Sequence, residues 1–182
     1  MSIVTEAKAP TPGELIARTA VRALHKDIPG IPTKPGRCLA FVRVVVQEAL
    51  GITYNQFYSY KRMVERLTPD TEPWARDMER GLKAAGMEVP LERYGPEGDP
   101  SRYVVLDESR LEPGDILFRW DTARNKWGDY VGHVGIYLGN GLLIENIDPK
   151  HRPNSAHSRR LSCVAVTVLG EWPVTTVIRW KL

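Results

Sequence analysis

The spacing of apolar positions changes once along the chain, from a helical period to a period of two. Leu15, Ile16, Thr19, Ala20, Ala23 and Leu24 recur at helical spacing behind Thr11-Pro12-Gly13-Glu14, which predicts an amphipathic helix over 12–26. Residues 27–36 carry three prolines and two glycines and read as a loop that delivers the chain to Cys38. From Cys38 to Leu50 the run CLAFVRVVVQEAL puts Leu39, Val42, Val45, Val46 and Ala49 on one broad face and ends at Gly51, a residue suited to a left-handed helix cap. Its valines also fit a buried strand; the length, the Gln47-Glu48-Ala49-Leu50 ending and the glycine favour helix. Residues 52–70 read as helical in part, through 55–63. Asp70-Thr71-Glu72-Pro73 signals the start of a further helix reaching Ala85 before Gly86, and 90–101 reads as loop.

Beyond residue 102 the pattern becomes short β-rich runs: 103–106, 115–119, 133–138, 142–146, 163–168 and 174–180. Gly139-Asn140-Gly141 between two of them is a hairpin turn. Helices first and antiparallel strands afterwards describe an α+β domain, its N-terminal helices packed on a C-terminal antiparallel sheet of about five to six strands. No repeat or linker divides the chain, so 1–182 reads as one domain, with 52–100 a helical insertion or cap.

Composition narrows the class without naming a function. The 182 residues, 42% hydrophobic and 26% charged, fit one soluble domain. No apolar run approaches the ~20 residues that span a bilayer. The start, MSIVTEAKAPTPGEL, lacks a basic region followed by a long apolar segment, so no secretory signal is expected. Such a chain is made in the cytoplasm, with release by lysis, a phage particle or a dedicated secretion system as the routes to an extracellular target. Two cysteines make no disulfide framework and read as free thiols. The formal charge of +3 is compatible with an anionic polymer such as a cell wall but carries little weight, and no nucleic-acid partner is expected. Oligomeric state is not legible.

Chemistry enters at Cys38. A thiol with an ordinary pKa of ~8.5 is mostly protonated at neutral pH, and a helix N-terminus or a nearby imidazole lowers that value. Cys38 follows a proline-glycine loop at the start of a helix, where free backbone N–H groups would face its sulfur and could hold an oxyanion. The same residue also suits a small buried hydrophobe. His133 opens the run His133-Val-Gly-Ile-Tyr-Leu138, with glycines on both sides that leave the imidazole accessible. Counted back from the turn centre at Asn140, Glu145 pairs near Gly135, a diagonal step from His133 on the same face. A carboxylate there would hold the imidazole tautomer and favour its charged form. Asn146 points to the opposite face and ranks second for this role.

Three blocks resemble the NlpC/P60 and CHAP cysteine peptidases: Gly36-Arg37-Cys38-Leu39-Ala40-Phe41-Val42-Arg43, Leu111-Glu112-Pro113-Gly114-Asp115-Ile116-Leu117-Phe118, and Gly132 to Asn146. The third block is the most specific. The resemblance implies a papain-like fold, Cys38 as nucleophile, His133 as base, Glu145 as third polar residue, and no cofactor or metal. It also implies an amide bond of bacterial peptidoglycan as substrate, in or beside the stem peptide; phage lysins, tail-associated wall hydrolases and toxin amidases are among the relatives. Many NlpC/P60 members have Asp before the cysteine and Ser-Gly after it, where this chain has Arg37, Leu39 and Ala40. Glutamate as third residue resembles the CHAP branch. The subfamily and the bond cleaved stay open.

Other residues read as structural first. Asp115 caps or ends the Glu-Pro-Gly-Asp turn, and Cys163 belongs to an apolar strand. His151 and His157, with Lys150, Arg152, Arg159 and Arg160, form a basic loop that is solvated or lines an anion-binding lip; two histidines in a loop are weak support for zinc. Trp120, Trp127 and Tyr130 either pack or stack on sugars. Two rivals to wall hydrolysis remain: acyl transfer or amide cleavage on another amide-bearing substrate, and a binding module on an inactive scaffold.

Overall fold

Helix α1 (Pro12–Leu24) begins at a reciprocal cap. The Thr11 hydroxyl accepts from the Glu14 backbone N–H at 3.2 Å, and the Glu14 carboxylate accepts from the Thr11 N–H at 2.8 Å, with Pro12 in the first turn. The computed structural model of the chain describes residues 8–25, 27–34, 36–59, 75–94, 103–104, 107–124, 130–147, 163–172 and 174–181. Helix α2 (Cys38–Leu50) has the expected bounds and closes on Gly51 at φ 65°. Its valines are resolved as helix because Phe41, Val42, Val45 and Val46 all bury on one broad side. Each such side chain is worth roughly 1.5–3 kcal/mol of burial.

Helix α3 (Tyr54–Ser59) starts where Thr53 and Gln56 cap each other, and residues 60–63 of the helix expected over 55–63 lie outside the described residues. Helix α4 (Ala75–Ala84) stops before Gly86 at φ 73°; its expected start signal at 70–73 lies outside the described residues. Phe57 stacks on Trp180 with ring centroids 5.8 Å apart, and Glu79 of α4 takes the buried Thr176 hydroxyl. Both helices therefore share the core of the chain.

Strands β1 (Arg93–Tyr94) and β2 (Tyr103–Val104) pair as a short ribbon, which corrects the reading of 90–101 as loop throughout. Strand β2 falls within the run expected at 103–106, whereas β1 is set by its partner rather than by a periodicity of its own. Strands β3 (Ile116–Arg124), β4 (Tyr130–Gly139), β5 (Leu142–Asn146), β6 (Val164–Val168) and β7 (Val174–Ile178) form one antiparallel sheet in the order β6-β5-β4-β3-β7. The architecture is α+β. Alternation along the strands sends Ile116, Phe118, Val134, Ile136 and Ile144 into a core shared with the helices, and Leu117, Tyr137, Leu143 and Val177 into a second cluster with Trp172.

The β4–β5 turn has Asn140 and Gly141 at its centre, at φ 53° and 70°, as a two-residue hairpin turn requires. A register shift between Tyr137 and Gly139 inserts one extra residue on β4, and so Glu145 pairs with Gly135 rather than with Ile136. Among the described residues, no helix is long and apolar enough to cross a membrane.

Candidate active site

Cys38 is the first residue of α2, half-buried, and its helix start is bare. Arg37 at the cap position makes no side-chain bond to the first turn, and that turn carries no acidic residue. The positive end of the helix is thus left uncompensated. The His133 imidazole and the backbone N–H groups of Val134 and Leu39 lie close enough to Cys38 to act on its thiol.

His133 lies three residues inside β4, paired with Arg119 of β3, rather than opening the strand as the sequence suggests. It is also less open than the flanking glycines suggest: its side chain is 13% exposed. The cause is Trp172, whose ring sits 5.3 Å from the imidazole. Gly135 makes room for that ring; a Cβ there would meet the indole at 3.0 Å and the Ile144 carbonyl at 3.1 Å. Trp172 is also met by the Arg119 guanidinium, 5.1 Å from the ring centroid.

Glu145 is fully buried, and its Oε2 lies 2.5 Å from His133 Nε2. Its second oxygen, Oε1, accepts the Thr167 hydroxyl at 2.5 Å. The register explains both bonds. The residues directly opposite Glu145 on the neighbouring strands are Gly135 and Ala165, both small, so the diagonal side chains His133 and Thr167 close over it from opposite ends. With Nε2 committed to Glu145, Nδ1 is the ring nitrogen left to face the Cys38 sulfur.

These contacts set the protonation states. Burial works to raise the Cys38 thiol, but the hydrogen bond and charge of His133, with the two backbone N–H groups, outweigh it and hold the thiol below its ordinary value. Burial likewise opposes charge on His133, and the bonds to Cys38 and Glu145 prevail, raising it from 6.5 to about 9. A lowered thiol beside a raised imidazole favours the thiolate–imidazolium pair, which can attack a carbonyl and then protonate a leaving amine.

Asn146 points away from Glu145, as alternation demands. Its Oδ1 accepts the Arg37 backbone N–H at 2.9 Å, and its Nδ2 donates to the Pro32 and Lys34 carbonyls at 3.3 Å each. It does not touch His133. Asp115 ends its turn by accepting the Glu112 N–H at 2.8 Å, and it also holds Arg179 through two bonds of 2.9 Å, a pairing not anticipated from sequence. Cys163 stands just before β6 rather than in it, half-buried, its thiol donating to the Thr33 carbonyl at 3.2 Å. Thr167, Trp172 and Arg119 were missed as neighbours of the imidazole. Strand alternation in 163–168 placed Thr167 on a definite face, but nothing local tied that face to Glu145. The basic loop with His151 and His157, Trp127, and the side chains of Trp120 and Tyr130 lie outside the described residues. No group of metal-binding side chains is present among the described residues.

No protein-family model matches the chain, and no curated protein does. Among solved structures it is similar to NlpC2 from Trichomonas vaginalis, at 14% identity and a TM-score of 0.40, over 98% of this chain and 50% of that one. The chain therefore spans about half the length of that protein.

Proposed function

We propose that the chain is a cysteine hydrolase that cleaves amide bonds through a thioester, and that its substrate is bacterial peptidoglycan, as a stem-peptide endopeptidase or amidase. One observation carries the chemical half of this reading: a thiol at the bare N-terminus of α2 meets an imidazole whose far nitrogen is held by a buried carboxylate. The substrate half is supported by the three sequence blocks that resemble the NlpC/P60 and CHAP peptidases.

In this reading the Cys38 thiolate attacks the scissile carbonyl carbon, and the first N–H groups of α2 receive the oxyanion. His133 gives its proton to the departing amine as the C–N bond breaks, leaving a Cys38 thioester and a neutral imidazole. A water then loses a proton to His133 and attacks the thioester, releasing the acid and regenerating the thiolate–imidazolium pair. Glu145 keeps the imidazole oriented and its charge favourable throughout. No step calls for a cofactor.

The test is digestion of purified peptidoglycan by the wild-type chain and by Cys38→Ala, with fragments identified by mass. We expect new amine and carboxyl ends from the wild type and a loss of turnover on the order of 10⁴-fold or more in the variant. Intact peptidoglycan together with cleavage of a protein amide would move the substrate; equal turnover by the variant would end the nucleophile assignment.

A further inference from the structure

The residue after Glu145 does a separate job, 109 residues from the loop it touches. Asn146 is fully buried, and its carboxamide has one acceptor oxygen and two N–H donors. All three are committed to the segment before the nucleophile: the oxygen to the Arg37 N–H, the amino group to the Pro32 and Lys34 carbonyls. Between those two carbonyls, that of Thr33 receives the Cys163 thiol. Three successive carbonyls of a proline-rich loop, which has no ladder of its own, are thus bonded by side chains from the end of β5 and the approach to β6.

Arg37 is the cap position of α2, so fixing its N–H fixes the Gly36–Arg37 peptide, one residue ahead of Cys38. We propose that Asn146 is a positioning residue for the nucleophile, clamping the 32–37 segment to β5 so that the Cys38 sulfur and the first amides of α2 stay in register with His133. Glu145 and Asn146 are neighbours on one strand with opposite faces. One aligns the base, and the other aligns the thiol. The sheet thereby sets the geometry of both halves of the pair from a single two-residue step, and a displacement of about 1 Å between them is enough to cost on the order of 100-fold in rate. The proposal rests on the reading of Cys38 as the reactive thiol.

A test that needs no substrate is the pH profile of iodoacetamide alkylation, mapped separately to Cys38 and Cys163 by mass. In the wild type Cys38 reacts at pH values well below the ordinary thiol range, and faster than Cys163. Asn146→Ala should slow Cys38 about tenfold or more near pH 6 and shift its profile toward that of a free thiol. Asn146→Asp, which keeps the acceptor for Arg37 and loses both donors, should fall between them. A merely structural asparagine would lower the melting temperature and leave the profile of the folded protein in place. Wild-type rates and profiles in both folded variants would overturn the proposal. Should neither variant fold, hydrogen exchange in the wild type decides: the Arg37 amide should be as protected as those of β5, and free exchange would overturn it. A wild-type Cys38 no faster than Cys163 would instead remove the nucleophile reading itself, so the two failures are distinguishable.

Discussion

Glu145 and Asp115 are both carboxylates removed from water, at 0% and 1% exposure, and both belong to the same antiparallel sheet or its margin. Their partners differ in kind. Asp115 faces the Arg179 guanidinium and a backbone N–H, and Arg179 is further tied to Glu112 and the Arg110 carbonyl. None of those partners gives up a proton near neutral pH, so the cluster stores no chemistry; it locks the turn before β3 to the end of β7. Glu145 faces an imidazole and a hydroxyl, and beyond the imidazole lies a thiol. Burial alone does not mark a reactive carboxylate. What marks it is a partner that can change its charge, aimed at a nucleophile.

The largest expected contrast sets stability against turnover. Asp115→Ala leaves Arg179 facing its pocket with only the exposed Glu112 carboxylate, and should destabilise the fold by about 3 kcal/mol, read as a shift in denaturant midpoint. The kcat of the folded fraction should stay within about threefold, the ordinary range of a change remote from the reaction. A drop in kcat comparable with that of Cys38→Ala would mean the two clusters are coupled, and the contrast would dissolve.

Glu145→Gln inverts the expectation. The amide is nearly isosteric, so the fold should persist, while the charge that supports the imidazolium is gone. The kcat should fall on the order of 10²-fold or more. The sign of the pH effect follows from His133. Because its folded value is raised, its proton stabilises the native state fully below about 6.5, and that contribution is lost as pH rises through about 9. The alkaline limb of kcat/KM should therefore stand near pH 9 in the wild type and move down in the variant. A limb that stays in place would show that Cys38 alone holds the imidazole charged.

Much of this contrast was legible in the sequence, and what was not has a common cause. Helix α2, its glycine stop and the hairpin came from local periodicity and turn chemistry. The pairing of Glu145 with Gly135 was reached by counting from Asn140, although the turn is centred on Asn140-Gly141. The count succeeds because the extra residue in β4 restores the register, and without it Glu145 would face away from His133. Thr167, the Trp172 cover and the Asn146 clamp were not legible. Each depends on a contact between segments joined by long connections, for which neither spacing nor composition carries a signal. The same is true of the Asp115–Arg179 pair, whose members lie 64 residues apart.

The finest test lies at the far oxygen of Glu145. Thr167→Val keeps the shape of the side chain and removes the hydroxyl that bonds Oε1. The fold should lose about 1.5–3 kcal/mol, the range for a hydrogen bond to a charged group. The rate should change by less than about tenfold, because the His133 bond is untouched. The direction of the pH limb is the informative part. A hydroxyl that donates to a carboxylate draws off some of its negative charge; without it, more charge faces the imidazole, and the proton on His133 is held harder. The alkaline limb should then move above its wild-type position, opposite to the shift in Glu145→Gln. A downward shift would instead mean that Thr167 acts chiefly by fixing the carboxylate against His133, so that losing the hydroxyl lets the bond open, and the charge-sharing account of this cluster would have to be given up.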